Sequence, residues 1–315
     1  MDFVSIGIQF ALLIVGFVLL IKGSDFFVDG ASNIASILKI PTLIVGLTIV
    51  AFGTSAPEAA VSITSSLNGS NALAVSNVIG SNLFNMMLIV GLCALLNELK
   101  IGRDVVKIDL PFLVIITIIL TAIILIGWNI SQIEGILLLI IIIGYISFLV
   151  YNAKKTKESE IVEKPKMSLL RSIIYIVLGA AAIVIGGDFV VDSASYIAMA
   201  FGMSETLVGL TIVAMGTSLP ELVTSLTALK KDENQLVIGN VIGSNIFNIL
   251  FVLGASSAIS PIAINPNMLV DILLMLGVTV LFFIFGKTQD KYDKKEGCIL
   301  VGLFIAYMAF AILRN

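Results

Sequence analysis

Long apolar runs separated by short polar connections make up almost the whole chain, and this alternation sets its class before any motif is read. Ten stretches stand out: 3–21, 41–67, 72–97, 106–127, 133–152, 168–186, 204–229, 234–259, 268–286 and 296–313. A helix crosses the roughly 30 Å hydrocarbon layer with about 20 residues at 1.5 Å each, so each stretch is a candidate span. The pattern predicts an all-α polytopic membrane protein of ten transmembrane helices. The first run has no basic residue before it and is long for the core of a signal peptide, so it reads as a retained span. Residues 24–39, SDFFVDGASNIASILK, are too polar to span on this reading. They are expected to lie near the interface before Pro41 opens the next helix.

Composition agrees with the pattern and narrows the function classes. Hydrophobic residues make up 58% and charged residues 12%, against about 25% charged in soluble domains. A net charge of −3, with the basic residues in loops, excludes a nucleic-acid partner. There is no His, and Cys93 and Cys298 have no CxxC spacing, so zinc sites and His-based catalysis are excluded. No cofactor and no obligate protein partner is indicated, and the chain does not read as an enzyme.

The basic residues orient the spans. With the N-terminus outside, the cytoplasmic connections hold Lys22 and Lys39, then Lys100, Arg103 and Lys107, the linker from Lys154 to Arg171, Lys230 and Lys231, and Lys287 to Lys295. Seventeen of the eighteen Lys and Arg residues then face the cytoplasm and only Arg314 lies outside. The charged linker near the midpoint separates a first five-helix repeat (1–153), a cytoplasmic linker (154–167) and a second five-helix repeat (168–315) within one integral membrane domain. A cell-membrane location follows.

Two phrases occur once in each half. Residues 45–58 read VGLTIVAFGTSAPE and 208–221 read VGLTIVAMGTSLPE, identical at twelve of fourteen positions with a spacing of 163. Residues 76–85, SNVIGSNLFN, recur at the same spacing as GNVIGSNIFN, and Gly23, Asp25 and Asp29 recur as Gly186, Asp188 and Asp192. Five spans per half send the second copy through the membrane in the opposite sense. Inverted-topology repeats with broken helices are an arrangement of secondary transporters.

The chemistry of the first phrase follows from Pro57, which has no amide hydrogen to return to the Gly53 carbonyl. Freed carbonyls in the membrane cost several kcal/mol unless satisfied, and a cation is one such partner. Thr54 and Ser55 add hydroxyls and Glu58 a carboxylate; Thr217, Ser218 and Glu221 repeat the set. A proline kink with small packing residues explains the Gly, Thr and Ser but leaves each Glu without a role, and ionisable groups at membrane depth are functional by default. Asn77, Ser81 and Asn85 fall four apart on one helical face, as do Asn240, Ser244 and Asn248. Interhelical hydrogen bonding competes evenly as the role of Asn77, Asn82, Asn240 and Asn245. Ser81, Asn85, Ser244 and Asn248 are expected to ligate or support, facing the glutamates across the pseudo-symmetry axis. Such an all-oxygen cage suits hard cations, Ca2+ above all. Two carboxylates balance one Ca2+, and the pair without a cation is costly, which favours exchange over one-way carriage.

At these residues the sequence resembles the sodium/calcium exchanger family, its prokaryotic members especially; the paired GTSxPE and GSNxFN phrases carry the resemblance, and matching topology covers nearly the whole chain. The resemblance implies antiport of Na+ against Ca2+ by alternating access. It implies that Glu58 and Glu221, with the carbonyls or hydroxyls of Thr54 and Thr217, ligate Ca2+. Ser55, Ser218, Ser81 and Ser244, with the backbone of Ala51 and Ala214, would shape flanking Na+ sites, and Asn85 and Asn248 would sit at the centre. The lipid bilayer and the two transported ions are the only partners implied. Asn248 stands where some members have Asp, which argues against a K+ requirement, and the GNxxE glutamate of cation/proton exchangers is missing. Proton coupling is the alternative, with a cation channel or an intramembrane hydrolase more remote.

Overall fold

A computed structural model of the chain describes residues 3–67, 71–156, 165–203, 212 and 214–314. Helices α1 (Phe3–Leu38), α2 (Thr42–Thr54), α3 (Ala56–Leu67), α4 (Leu73–Leu96), α5 (Val105–Gly127) and α6 (Gln132–Thr156) form the first half. The second holds α7 (Leu169–Ala200), the short α8 (Ala214–Gly216), α9 (Leu219–Lys230), α10 (Asn234–Ile259), α11 (Pro266–Gln289) and α12 (Lys294–Arg314). Among the described residues eight helices are long and apolar enough to cross a membrane, and α2 with α3, bent by 49°, makes a ninth. The stretch expected as a span at 204–229 begins outside the described residues, as does part of the linker 154–167. The chain is a multi-pass, all-helical membrane protein.

The expectation for residues 24–39 is corrected. They form no separate segment but continue the helix of the first span, so that α1 runs unbroken for 36 residues, about 54 Å. Protein partners absorb the polarity. Ser24 Oγ meets Thr224 Oγ1 at 3.3 Å, and Lys231 Nζ reaches Asp29 at 2.7 Å. Ser32 donates to Glu233 at 2.6 Å, and the Asn33 side chain bonds the backbone at Lys166 and Met167 and the Ser172 hydroxyl. The helix ends where Lys39 turns left-handed (φ 54°) and the Ile40 amide bonds the Ala35 carbonyl at 3.0 Å, just before Pro41. The expected span at 168–186 likewise extends to Ala200.

Helices α1 and α7 lie against each other antiparallel along a glycine seam. A Cβ added to Gly16 would come within 2.9 Å of the Gly186 carbonyl oxygen. At Gly23 it would come within 2.9 Å of Gly179 oxygen, and at Gly30 within 2.8 Å of Ser172 oxygen. Two seven-residue steps forward on α1 thus match two backward on α7. Small residues at such a seam are how membrane helices gain dispersion contact where the hydrophobic effect does not drive association. Because Gly16 and Gly23 correspond to Gly179 and Gly186 at the 163 spacing, equivalent helices of the two halves run in opposite directions.

Helices α4 and α10 form the interior: 78% and 94% of their most apolar windows are buried, against 22% for α1 and 28% for α7. Gly239 of α10 sits where an added Cβ would come within 2.6 Å of the Leu43 carbonyl and 2.9 Å of the Gly46 Cα, so α10 touches the backbone of α2 directly. Two short antiparallel strand pairs tie the halves at opposite ends. Strand β1 (Leu99–Lys100) pairs with β4 (Lys291–Tyr292), and β2 (Asn129–Ile130) with β3 (Ile262–Ala263).

Candidate cation site

The first repeated phrase is a broken helix, but the break falls at Ser55, where α2 stops and α3 starts, two residues ahead of Pro57. The Ser55 amide bonds Ala51 oxygen at 3.0 Å and the Ala59 amide bonds Ser55 oxygen at 3.1 Å. The second phrase breaks alike, with Ser218 between α8 and α9; Ala214 opens α8 on that side, and residues 208–211 and 213 lie outside those described.

Glu58 and Glu221 stand in the first turns of α3 and α9, each fully buried. A carboxylate there gains from the positive end of the helix. Each accepts on Oε1 from the serine of the opposite phrase: Ser55 Oγ donates to Glu221 at 2.8 Å and Ser218 Oγ to Glu58 at 3.0 Å. Ser81 and Ser244 donate to the same Oε1 atoms at 3.5 Å, but to the glutamate of their own half. The expectation for these two serines is therefore corrected: they do not face the glutamates across the axis, because the break at Ser55 and Ser218 carries those hydroxyls over instead.

The asparagines bind the scaffold in matched pairs. Asn77 Nδ2 donates to Glu58 oxygen (3.4 Å) and Ser62 Oγ (3.1 Å), while its Oδ1 accepts from Thr217 at 3.3 Å. Asn240 does the same with Glu221 oxygen (3.4 Å), Ser225 (3.0 Å) and Thr54 (3.1 Å). Of the expected Ca2+ ligands, the Thr54 and Thr217 hydroxyls are thus engaged with asparagines of the opposite half. Ala51 is buried, and its carbonyl accepts from the Ser55 amide at 3.0 Å and from the Thr54 hydroxyl at 3.4 Å.

Asn85 and Asn248 lie one helical turn past Ser81 and Ser244, in π-helical turns at Phe84–Ile89 and Asn248–Val252. Such turns are frequent at functional sites, and nothing in hydrophobic periodicity marks them. Neighbouring Asn82 and Asn245 bond across the halves to Asn248 and Asn85. Their only sequence signal is the recurrence of GSN at the 163 spacing.

Four buried oxygens here, Glu58 Oε2, Glu221 Oε2, Asn85 Oδ1 and Asn248 Oδ1, have no hydrogen-bond partner among the described residues. Buried acceptors without donors are uncommon because each costs about 1–3 kcal/mol. They form two matched pairs from the two halves, so a local packing fault does not explain them. Among the described residues no three His, Cys, Asp or Glu side chains gather as a metal cluster. The unpartnered oxygens come from two carboxylates and two neutral amides, and oxygen donors of this kind suit a hard cation.

Comparison with known proteins agrees with the geometry. Residues 8–151 and 171–313 match the sodium/calcium exchanger protein family. The inner membrane protein YrbG of Escherichia coli is 35% identical over 311 residues, covering 95% of each chain. The sodium/calcium exchanger MaX1 of Methanosarcina acetivorans is 31% identical, covering 96% of this chain and 98% of its own. Among solved structures, the sodium-calcium exchanger NCX_Mj soaked with Na+ and Sr2+ superposes with a TM-score of 0.86 at 30% identity, covering 96% of this chain and 99% of that one. With both repeats matched, this chain belongs to the sodium/calcium exchanger protein family.

Proposed function

We propose that the protein exchanges Na+ for Ca2+ across the cell membrane by alternating access, through one central cage closed by Glu58 and Glu221. The observation that carries this reading is the set of four unpartnered buried oxygens, two from carboxylates and two from amides. A cation supplies what each lacks. Thr54 and Thr217 carbonyls complete the Ca2+ shell, and Ser55, Ser218, Ser81 and Ser244, with the backbone of Ala51 and Ala214, hold Na+ beside it. No cofactor takes part.

The wider architecture is ten spans in two inverted repeats, 1–153 and 168–315, joined by the cytoplasmic linker 154–167, with the N-terminus outside. The antiparallel α1–α7 pair supports this reading and supplies the moving element. Its glycine seam packs it as one body, which meets the rest of the protein through Phe27 against Gly53, Val191 against Gly216 and the polar contacts of Ser24, Asp29 and Ser32 with Thr224, Lys231 and Glu233. Only a filled cage neutralises both glutamates well enough for the pair to slide, which couples the two ions. Ca2+ leaves the two-carboxylate cage neutral and three or more Na+ leave it positive, so exchange is electrogenic. Asn248 removes the third carboxylate that a K+ requirement would need.

The test is Ca2+ uptake into proteoliposomes loaded with Na+, with K+, or holding only a pH gradient. Uptake is expected with Na+ alone and is expected to respond to membrane potential. Equal uptake driven by protons without Na+ overturns the Na+ assignment, and an absolute need for K+ overturns the role given to Asn248.

A further inference from the structure

We propose that Asn82 and Asn245 are positioning residues that decide which end of the Asn248 and Asn85 amides meets the cation; the inference rests on the cation-cage reading above. The backbone carbonyl of Asn245 can only accept, and Asn82 Nδ2 lies 3.3 Å from it. The sulfur of buried Met275, also an acceptor, lies 4.0 Å from the same nitrogen. The nitrogen end of Asn82 is therefore committed, and its Oδ1 faces the other way, where it accepts from Asn248 Nδ2 at 3.2 Å. That contact in turn commits the nitrogen of Asn248 and leaves its Oδ1 as the buried oxygen without a donor. One backbone carbonyl thus sets two amides in sequence, and the chain ends on an oxygen.

The alternative orientation shows why this matters. An amide flipped at Asn248 would present two N–H donors to a cation in a site with little water, exchanging attraction for repulsion at one ligand. Asparagine needs such an orienter, whereas a carboxylate, with two equivalent oxygens, does not. The second branch has the same form but a weaker anchor. Asn245 Oδ1 accepts from Asn85 Nδ2 at 3.3 Å, leaving Asn85 Oδ1 unpartnered, yet Asn245 Nδ2 is itself buried without a partner. The Asn82–Asn248 branch is consequently the more firmly set of the two. Outer partners of ligating side chains are worth about 10–100-fold in metal affinity, enough to read directly.

The experiment is a double-mutant cycle read by equilibrium binding of radiolabelled Ca2+ to the purified full-length protein and by the KM and maximal rate of Ca2+ uptake. Asn82→Leu is placed in the natural background and in an Asn248→Asp background, with Asn82→Ala as a smaller second variant should Leu prevent folding. Expected is a loss of Ca2+ affinity of about tenfold or more in the natural background, carried by KM rather than maximal rate. Less than a twofold loss is expected beside Asn248→Asp. Asn245→Leu is expected to cost less than Asn82→Leu. An equal loss in both backgrounds, which packing alone would give, overturns the proposal, as does no loss in the natural background. Saturable Ca2+ binding with a failed cycle leaves the exchanger reading standing. No saturable binding by the unmodified protein removes the cage and the proposal together.

Discussion

Helices α10 and α1 are both apolar enough to cross a membrane, yet 94% of one and 22% of the other is buried over the most apolar window. In a soluble protein the more buried helix would be the more apolar. Here α10 carries Asn240, Ser244, Asn245 and Asn248 inside the protein, and α1 turns Ile8, Ile14 and Val18 outward, each about half exposed or more. Lipid is as apolar as leucine, so burial brings hydrocarbon side chains little; what must be buried is the polar set. The interior is organised by oxygens that need partners, and the outer pair by backbone contact along glycines.

The largest effect that would break this division is loss of a central charge. Glu58→Gln or Glu221→Gln keeps shape and the Ser218 or Ser55 bond but removes half of the cage's charge. Na+-driven Ca2+ uptake is expected to fall on the order of a hundredfold or more, the scale of uncompensating a buried charge. Near-normal exchange in either variant would sink the two-carboxylate cage.

Next comes the seam. Gly23→Leu places a side chain against the Gly179 carbonyl and the Ala182 methyl, and overpacking of this kind costs about 1–3 kcal/mol. A lower unfolding midpoint and slower exchange at unchanged Ca2+ affinity are expected. Gly277→Ala, whose added carbon would meet nothing within 4 Å, is the matched control, and an equal effect there would show that the seam has no special part.

The serines sharpen the comparison within the cage. Ser55→Ala removes a 2.8 Å bond across the halves and Ser81→Ala a 3.5 Å bond within one. The first is expected to cost about 1.5–3 kcal/mol, as for a bond to a charged group, and to weaken Ca2+ and Na+ binding more than the second. The reverse order in a binding assay would contradict the cross-half arrangement. Smallest is Lys231→Ala, which breaks the ion pair to Asp29 at 2.7 Å at a partly exposed site; a change of about 0.2–1 kcal/mol is expected in thermal unfolding.

Particular residues show where the sequence was legible and where it was not. The boundaries of α4, α5, α6, α10, α11 and α12 follow the apolar runs to within a few residues, because each is bounded by polar connections that lipid cannot hold. Residues 24–38 misled because polarity alone does not say whether water or protein satisfies it; Lys231, Glu233 and Thr224, some 200 positions away, do so here. The 163-residue recurrence made Glu58 and Glu221 conspicuous, but not which serine would reach which carboxylate.

The amino-acid sequence by itself determined the membrane class, most of the spans, the doubled phrases and the pairing of two glutamates with amide and hydroxyl oxygens, since these depend on composition, period and spacing along one chain. Only the tertiary structure decided that α1 runs on through its polar half, that Ser55 and Ser218 exchange partners across the halves, and that the Asn82 amide is turned by a backbone carbonyl. Those outcomes depend on which groups meet in space and on the few ångströms that separate a hydrogen bond from none.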